Sequence, residues 1–461
     1  MKIVQEAKKN IAIIWRPPKP VQGIYRPMKY LIKTQVDDGT ILYNVVTSEM
    51  VLLNEDEVKL FGSSSREYCS EMNELITHHY LVKEDYDEEK SVAELRAIVR
   101  KLKPFQRVSG FTILPTTECN ARCFYCFESD HKRCTMTEET VADVIKYIAE
   151  KCDSKPVKIE WFGGEPLVAQ RQITQICEGL KQKEIKYKSS MVSNAYLFDD
   201  NLIRIAKDEW HLNFIQITLD GTEEIYNTTK AYVNPKDNPY DRVMKNIKML
   251  LDNKITVVIR LNVTDRNADD LSDLVDELSE RFGGEEALSC YAHAVYDGVG
   301  FDPLNYDQEM LEFIDKKTIA LDDKLRSKKL NGSLTRLPVL EVTHCMADND
   351  SARLIYPDGT IGKCENKSSL ENIGNIYDDI TNEEKHTQYR TYDRFPECDD
   401  CCLFPNCLNL KICPETGKCS KVKKEWKIRR YTDLVKEKYL VSGQKKTNEK
   451  EADSTHPECE S

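Results

Sequence analysis

Apolar residues change period several times along the chain. Between about residues 22 and 87 they first alternate, in KYLIKTQ and ILYNVVT on either side of the polar turn DDGT, and then cluster in ELITHHYLV ahead of the acidic KEDYDEE. Alternation broken by Asp-Asp-Gly-Thr predicts a β-hairpin, with helix after it. In SVAELRAIVRKLKPF the spacing becomes helical, placing Val92, Leu95, Ile98, Val99 and Leu102 on one predicted face. From Gly110 to about Gly298 short β-rich runs alternate with amphipathic stretches. The runs predict strands at Phe111–Leu114, Val157–Phe162, Ser189–Val192, Phe214–Leu219, Thr256–Val263 and Leu288–Val295. Helices such as MTEETVADVIKYIAEKC, capped by Thr-Glu-Glu, fall between them. Six such units predict an α/β fold with a parallel sheet whose site lies at the strands' C-terminal ends. Length alone leaves an open sheet and a partial barrel equally available.

Around this centre, residues 1–21 read as an irregular lead-in and 22–104 as a small separate module with its linking helix. The α/β region spans 105–300, and 301–335 read as a helical connection. Residues 336–440 hold a cysteine-rich segment with little periodicity, of the kind that folds around metal. The polar stretch 441–461 reads as disordered.

A chain of 461 residues with 40% hydrophobic content predicts two to four globular domains. A net charge of −12 argues against a broad nucleic-acid surface, and no apolar run is long enough to span a membrane. The short apolar stretch Ile11 to Trp15 is broken by Arg16 and two prolines, unlike a secretory signal, so the expected compartment is the cytoplasm. Thiols stay reduced there, which makes 17 cysteines informative. Three fall between 119 and 126 and eight between 345 and 419, a clustering that reads as metal ligation before disulfides. The eight histidines form no HxxxH or HExxH arrangement.

Cys119, Cys123 and Cys126 lie in TTECNARCFYCFE, directly after the first strand of the α/β region. A [4Fe–4S] cluster takes four thiolates, so three leave one iron open to chelate a small molecule. A structural zinc would need a fourth ligand, for which His131 and Cys134 are at hand. The loop resembles the CxxxCxΦC signature of the radical S-adenosylmethionine (SAM) family, with Tyr125 as the aromatic residue. WFGGEP at 161–166 is similar to that family's GGEP motif, VSNAYLF at 192–198 to the segment near the ribose, and QITLDGT at 216–222 to QxSxDG. The resemblance implies that Gly163 and Gly164 admit the methionine end of SAM, Glu165 sits by its amino group, and Ser193, Asn194 and Thr218 complete the pocket. Two departures stand out. Tyr226 and Lys230 occupy positions where peptide-modifying members often carry His and Arg, and the usual TNG is Ser193-Asn194-Ala195. Lys230 keeps the charge that would face the SAM carboxylate but lacks the guanidinium fork, and Arg260 is a second candidate.

Cys345, Cys364, Cys398, Cys401, Cys407, Cys413 and Cys419 resemble the SPASM extension of that family, departing from it after Cys407. The resemblance implies two auxiliary [4Fe–4S] clusters, three in all with the SAM-binding one. Cys398, Cys401, Cys407 and Cys419 would hold the distal cluster and Cys345, Cys364 and Cys413 the inner one. Cys402 competes as a ligand, and zinc ribbons fit the same spacing. The expected architecture is a partial (β/α)6 TIM-like barrel with a winged-helix-like N-terminal module and an iron–sulfur C-terminal domain. The expected activity is maturation of a ribosomally made precursor peptide, most readily by Cys-to-carbon thioether formation. The N-terminal module would take the leader segment and a flavodoxin or ferredoxin would supply electrons. Formylglycine formation of the anaerobic sulfatase type is an alternative, as is a non-catalytic iron–sulfur electron carrier, which would have no use for the GGEP and QITLDG segments. No general base is singled out.

Overall fold

The computed structural model of the chain describes residues 1–62, 67–102, 108–129, 132–152, 156–295, 308–332, 335–343, 345–365, 372–393, 398–410 and 419–453. All six predicted strands form: β1 (Gly110–Ile113), β2 (Val157–Trp161), β3 (Tyr187–Ser193), β4 (Leu212–Leu219), β5 (Thr256–Val263) and β6 (Leu288–Ala294). They pair in sequence order, each parallel to the next. The run does not close on itself. At the β1 edge a strand from the C-terminal region, β7 (Ala352–Ile355), adds in parallel from Ala352↔Gly110 to Ile355↔Ile113, and three short antiparallel strands follow it.

The strands' alternation divides the sheet into two unlike faces. Phe111, Ile159, Trp161, Met191, Ile215, Ile217, Ile259 and Leu261 are at most 1% exposed and share one core with the helices Glu138–Lys151, Gln170–Gln182, Asp200–Asp208, Pro239–Asp252 and Asp270–Phe282. The register places polar groups on the other face: buried Thr112 beside half-buried Glu160 and Ser190, and half-buried Thr218 beside Arg260 and Tyr291. Thr137 caps the first of these helices, accepting the Thr140 amide at 3.1 Å.

The N-terminal hairpin forms as expected, Leu31–Val36 against Gly39–Asn44 with Asp37 and Asp38 at the turn. The lead-in differs from expectation. Lys2–Gln5 is a strand on Met50–Leu53, and Lys9–Ile14 is a helix. A four-residue strand is too short to show periodicity, and its partner lies some fifty positions away. The linking helix Glu88–Leu102 buries Val92 and Leu95, but Ile98 and Leu102 face solvent at 43% and 63% exposure. Within the polar C-terminal stretch residues 454–461 lie outside the described residues, and 441–453 also depart from expectation, since helix runs from Lys421 to Asp453. Tyr431, Leu434 and Val435 pack its first half against the N-terminal sheet, and extending a seeded helix adds one hydrogen bond per residue. Among the described residues no helix is long and apolar enough to cross a membrane.

Candidate active site

The three-cysteine loop leaves β1 at its C-terminal end and is tied down on both sides. Thr117 N donates to Cys134 O at 2.9 Å and Thr116 Oγ1 to the same oxygen at 3.1 Å. Arg122 N donates to Lys230 O (2.9 Å) and Val233 N to Asn120 O (2.8 Å), lashing the loop to the segment beyond β4. Burial raises the thiols of Cys119 and Cys126 to about 12 and about 11, and raises Cys123 as well; Cys119 and Cys126 also feel the charge of Cys123. Such thiols ionise only beside a compensating cation, so as a donor set they fit a metal cluster. Among the described residues, no three Cys, His, Asp or Glu side chains converge on a single metal ion. Cys134 turns toward Thr117 Oγ1 (3.8 Å), and His131 lies outside the described residues.

After β2 the backbone of Gly163-Gly164 runs against this loop. Gly163 has φ +119°, and a β-carbon on Gly164 would stand 2.4 Å from Glu118 O, so only glycine permits the approach. Glu165, 1% exposed, accepts from Ser193 Oγ (2.7 Å), Asn194 N (2.8 Å) and Leu167 N (3.1 Å). Burial outweighs these bonds and raises its carboxyl to about 7. Asn194 Nδ2 in turn donates to Asn120 Oδ1 at 2.7 Å, joining β3's end to the cysteine loop. Ala195 takes φ +59°, a left-handed conformation that a residue with a β-carbon adopts less readily than glycine.

Lys230 lies inside the fold. Only 4% exposed, it pairs with Asp220 Oδ2 at 3.0 Å and donates to Tyr125 OH at 3.2 Å, while Tyr125 OH donates to Asp220 Oδ1 at 2.6 Å. Its charge is therefore spent inside the protein, on the aspartate of the QITLDG segment. Tyr226 is buried and shares a hydrogen bond with Tyr232 (2.9 Å). Thr218 sits on the polar face of β4, next to Arg260 of β5, whose Nε donates to Asn262 Oδ1 (2.9 Å).

In the C-terminal region Cys401 lies close enough to Cys398 and Cys407 to feel their charge, and Cys419 is likewise coupled to Cys407 and Cys401. Cys402 is raised to about 12 by burial and by Cys401. Cys345 and Cys364 flank β7 and its hairpin; Cys413 lies outside the described residues. The residue after Cys345, Met346, brings its sulfur to 3.3 Å from Thr112 Oγ1 on β1. Arg96, which the sequence reading passed over, donates to the carbonyls of Glu341 (3.0 Å), Phe404 (3.0 Å), Pro405 (2.8 Å) and Cys407 (3.1 Å). No spacing rule points to it, because its partners lie more than 240 positions away.

Cysteine loop, glycine approach, buried glutamate and Asp-Gly turn thus stand at the C-terminal ends of successive parallel strands, which defines an enzyme acting at the mouth of an α/β sheet. The sequence profile of the Radical SAM superfamily matches residues 113–278. Residues 113–278 therefore form a radical SAM domain, and that domain implies a [4Fe–4S] cluster and SAM. The chain is 24% identical over 262 residues to GTP 3',8-cyclase of Clostridium perfringens (strain 13 / Type A), covering 54% of this chain and 78% of that one. It is 22% identical over 243 residues to the radical SAM cyclopropyl synthase TigE of Paramaledivibacter caminithermalis, covering 47% and 48%. Native anSMEcpe with bound AdoMet superposes with a TM-score of 0.55 at 16% identity, over 73% of this chain and 99% of that one. The same protein is also solved with AdoMet and a Cp18Cys peptide.

Proposed function

We propose that this enzyme matures a ribosomally made precursor peptide in the cytoplasm, forming thioether crosslinks from cysteine to carbon. The observation that carries the reading is β7: it joins the cysteine-rich region to the first strand of the radical SAM domain, with Met346, the residue after Cys345, against Thr112 on the sheet's polar face. When bound, the cluster and SAM supply a 5′-deoxyadenosyl radical by reductive cleavage. Cys119, Cys123 and Cys126 would hold that cluster. Gly163 and Gly164 make room for SAM, Glu165 takes its ammonium, and Ser193 and Asn194 hold Glu165 in place. Thr218 and Arg260 are in register on the same face, and Arg260 would take the SAM carboxylate because Lys230 is paired with Asp220. Cys398, Cys401, Cys407 and Cys419 would hold one auxiliary cluster and Cys345, Cys364 and Cys413 another. The N-terminal sheet would take the leader segment, and a flavodoxin or ferredoxin would deliver electrons.

Reconstituted, reduced protein should release 5′-deoxyadenosine from SAM and contain about twelve irons. Co-expressed with a short cysteine-containing peptide from a neighbouring gene, it should yield a product lighter by two hydrogens whose cysteine resists alkylation. A count of about four irons would remove the auxiliary clusters. An aldehyde in place of the crosslink would identify formylglycine formation instead.

A further inference from the structure

The two edges of the N-terminal sheet are held very differently. Its order is Lys2–Gln5, Met50–Leu53, Gly39–Asn44, Leu31–Val36. The Leu31–Val36 side is packed on the C-terminal helix, whose Tyr439 hydroxyl reaches Asp38 at the adjoining turn (2.8 Å). At the opposite edge Lys2–Gln5 pairs through Lys2↔Leu52, Ile3↔Val51 and Gln5↔Met50, with an irregularity between Ile3 and Gln5. None of its four residues is fully buried, whereas Met50, Val51 and Leu53 beneath are at most 1% exposed. Ile3 packs against the cluster around Val51 and Leu53, and Val4 against the one around Ile32 and Ile41. The helix that follows is anchored separately, through Ile11, to the linking helix. The strand itself is held at its ends by the Met1 ammonium on Glu57 and Glu74 and by Gln5 Nε2 on Ser48 O (2.6 Å), contacts it must give up to leave while its tether stays.

We propose that the Met50–Leu53 edge is a peptide-docking surface and that Lys2–Gln5 is its built-in occupant. The partner is an extended peptide whose two adjacent apolar residues replace Ile3 and Val4 on opposite faces of the sheet. Edge pairing gives main-chain hydrogen bonds to any extended strand, and the two apolar clusters give selectivity. This rests on the reading of the module as a leader-binding element and sharpens it: the incoming peptide exchanges with a resident strand. A tethered strand competes at an effective concentration on the order of millimolar, so micromolar peptide is held off the native chain.

The test uses a fluorescein-labelled peptide of residues 1–8 of this chain, and the full-length protein beside its Ile3→Asp/Val4→Asp variant. Anisotropy should show at least tenfold tighter binding to the variant. Hydrogen exchange at the amides of 50–53 should rise in the variant and fall again when peptide is added. Equal binding to both proteins, or unchanged exchange at 50–53, overturns the proposal. If exchange rises throughout residues 110–294, the variant is misfolded. Gln5→Pro, which removes a backbone donor and no core side chain, then replaces it under the same criteria. Because the probe is the chain's own segment, the outcome is independent of whether a precursor peptide is ever crosslinked.

Discussion

Replacing Glu165 by glutamine should remove a pH dependence of stability. The carboxyl is 1% exposed, and burial raises it from 4.5 to about 7 against the opposing bonds from Asn194, Ser193 and Leu167. The folded chain thus holds this proton more tightly than the unfolded chain. Stability from the protonated group is complete below about pH 4.5, declines as pH rises to about 7, and is level above. At about 1.4 kcal/mol per unit, the decline amounts to about 3 kcal/mol. Glutamine does not titrate, but its amide NH2 must face one of the backbone donors now served by the carboxylate, at Asn194 or Leu167. A mismatch of that kind costs about 1–3 kcal/mol at every pH. The variant should therefore be less stable than the parent near pH 5 and close to it near pH 8. Urea unfolding of the cluster-free proteins, followed by tryptophan fluorescence, measures this. Two stability profiles that stay parallel from pH 5 to 8 would refute the reasoning. SAM supplies a second readout. An ammonium beside Glu165 favours the ionised form, so affinity for SAM should climb as pH approaches 7 in the parent and stay flat in Glu165→Gln.

Other consequences follow from the same contacts. Lys230→Met strands a buried carboxylate at Asp220 and should lower stability by about 3–5 kcal/mol in urea unfolding. Gly164→Ala drives a β-carbon into Glu118 O; it should lose about 1–3 kcal/mol and bind SAM at least tenfold more weakly by calorimetry. Ala195→Gly should be neutral to within about 1 kcal/mol, because relief of the left-handed strain is offset by a lost buried methyl and a more flexible unfolded chain. Ala195→Val should be clearly destabilising in the same assay. Arg96→Met releases the carbonyls of Glu341, Phe404, Pro405 and Cys407, and reconstituted protein should fall short by about four irons.

The six parallel strands and the four SAM-domain segments were legible because each is a local pattern: a β-rich run ended by Cys-x3-Cys-x2-Cys, Gly-Gly-Glu-Pro, Ser-Asn or Asp-Gly. What escaped reading depends on partners distant in sequence. Lys2–Gln5 is a strand only because Met50–Leu53 offers an edge, and β7 is part of the sheet only because Gly110–Ile113 has one to spare. Arg96 looks like a solvent-facing helix position until the loop at 404–407 arrives above it.

Lys230 makes the limit most specific. Its charge and position were evident from the resemblance, and both pointed to the SAM carboxylate. In the fold, Asp220 stands 3.0 Å from its ammonium and the Tyr125 hydroxyl bonds both. A lysine can make this substitution of roles where an arginine would not. Its compact ammonium fits a closed site with one carboxylate and one hydroxyl, while a guanidinium fork would leave donors unsatisfied there. The change of residue type thus goes with a change of partner, and the ion pair now fastens the cysteine loop to the end of β4. On the proposed reading the positive group for the SAM carboxylate is Arg260, in register with Thr218 on the sheet's polar face. Arg260→Met should weaken SAM binding at least tenfold while leaving the urea midpoint nearly unchanged, the reverse of what Lys230→Met does. Equal loss of SAM affinity in both variants would return the carboxylate to Lys230.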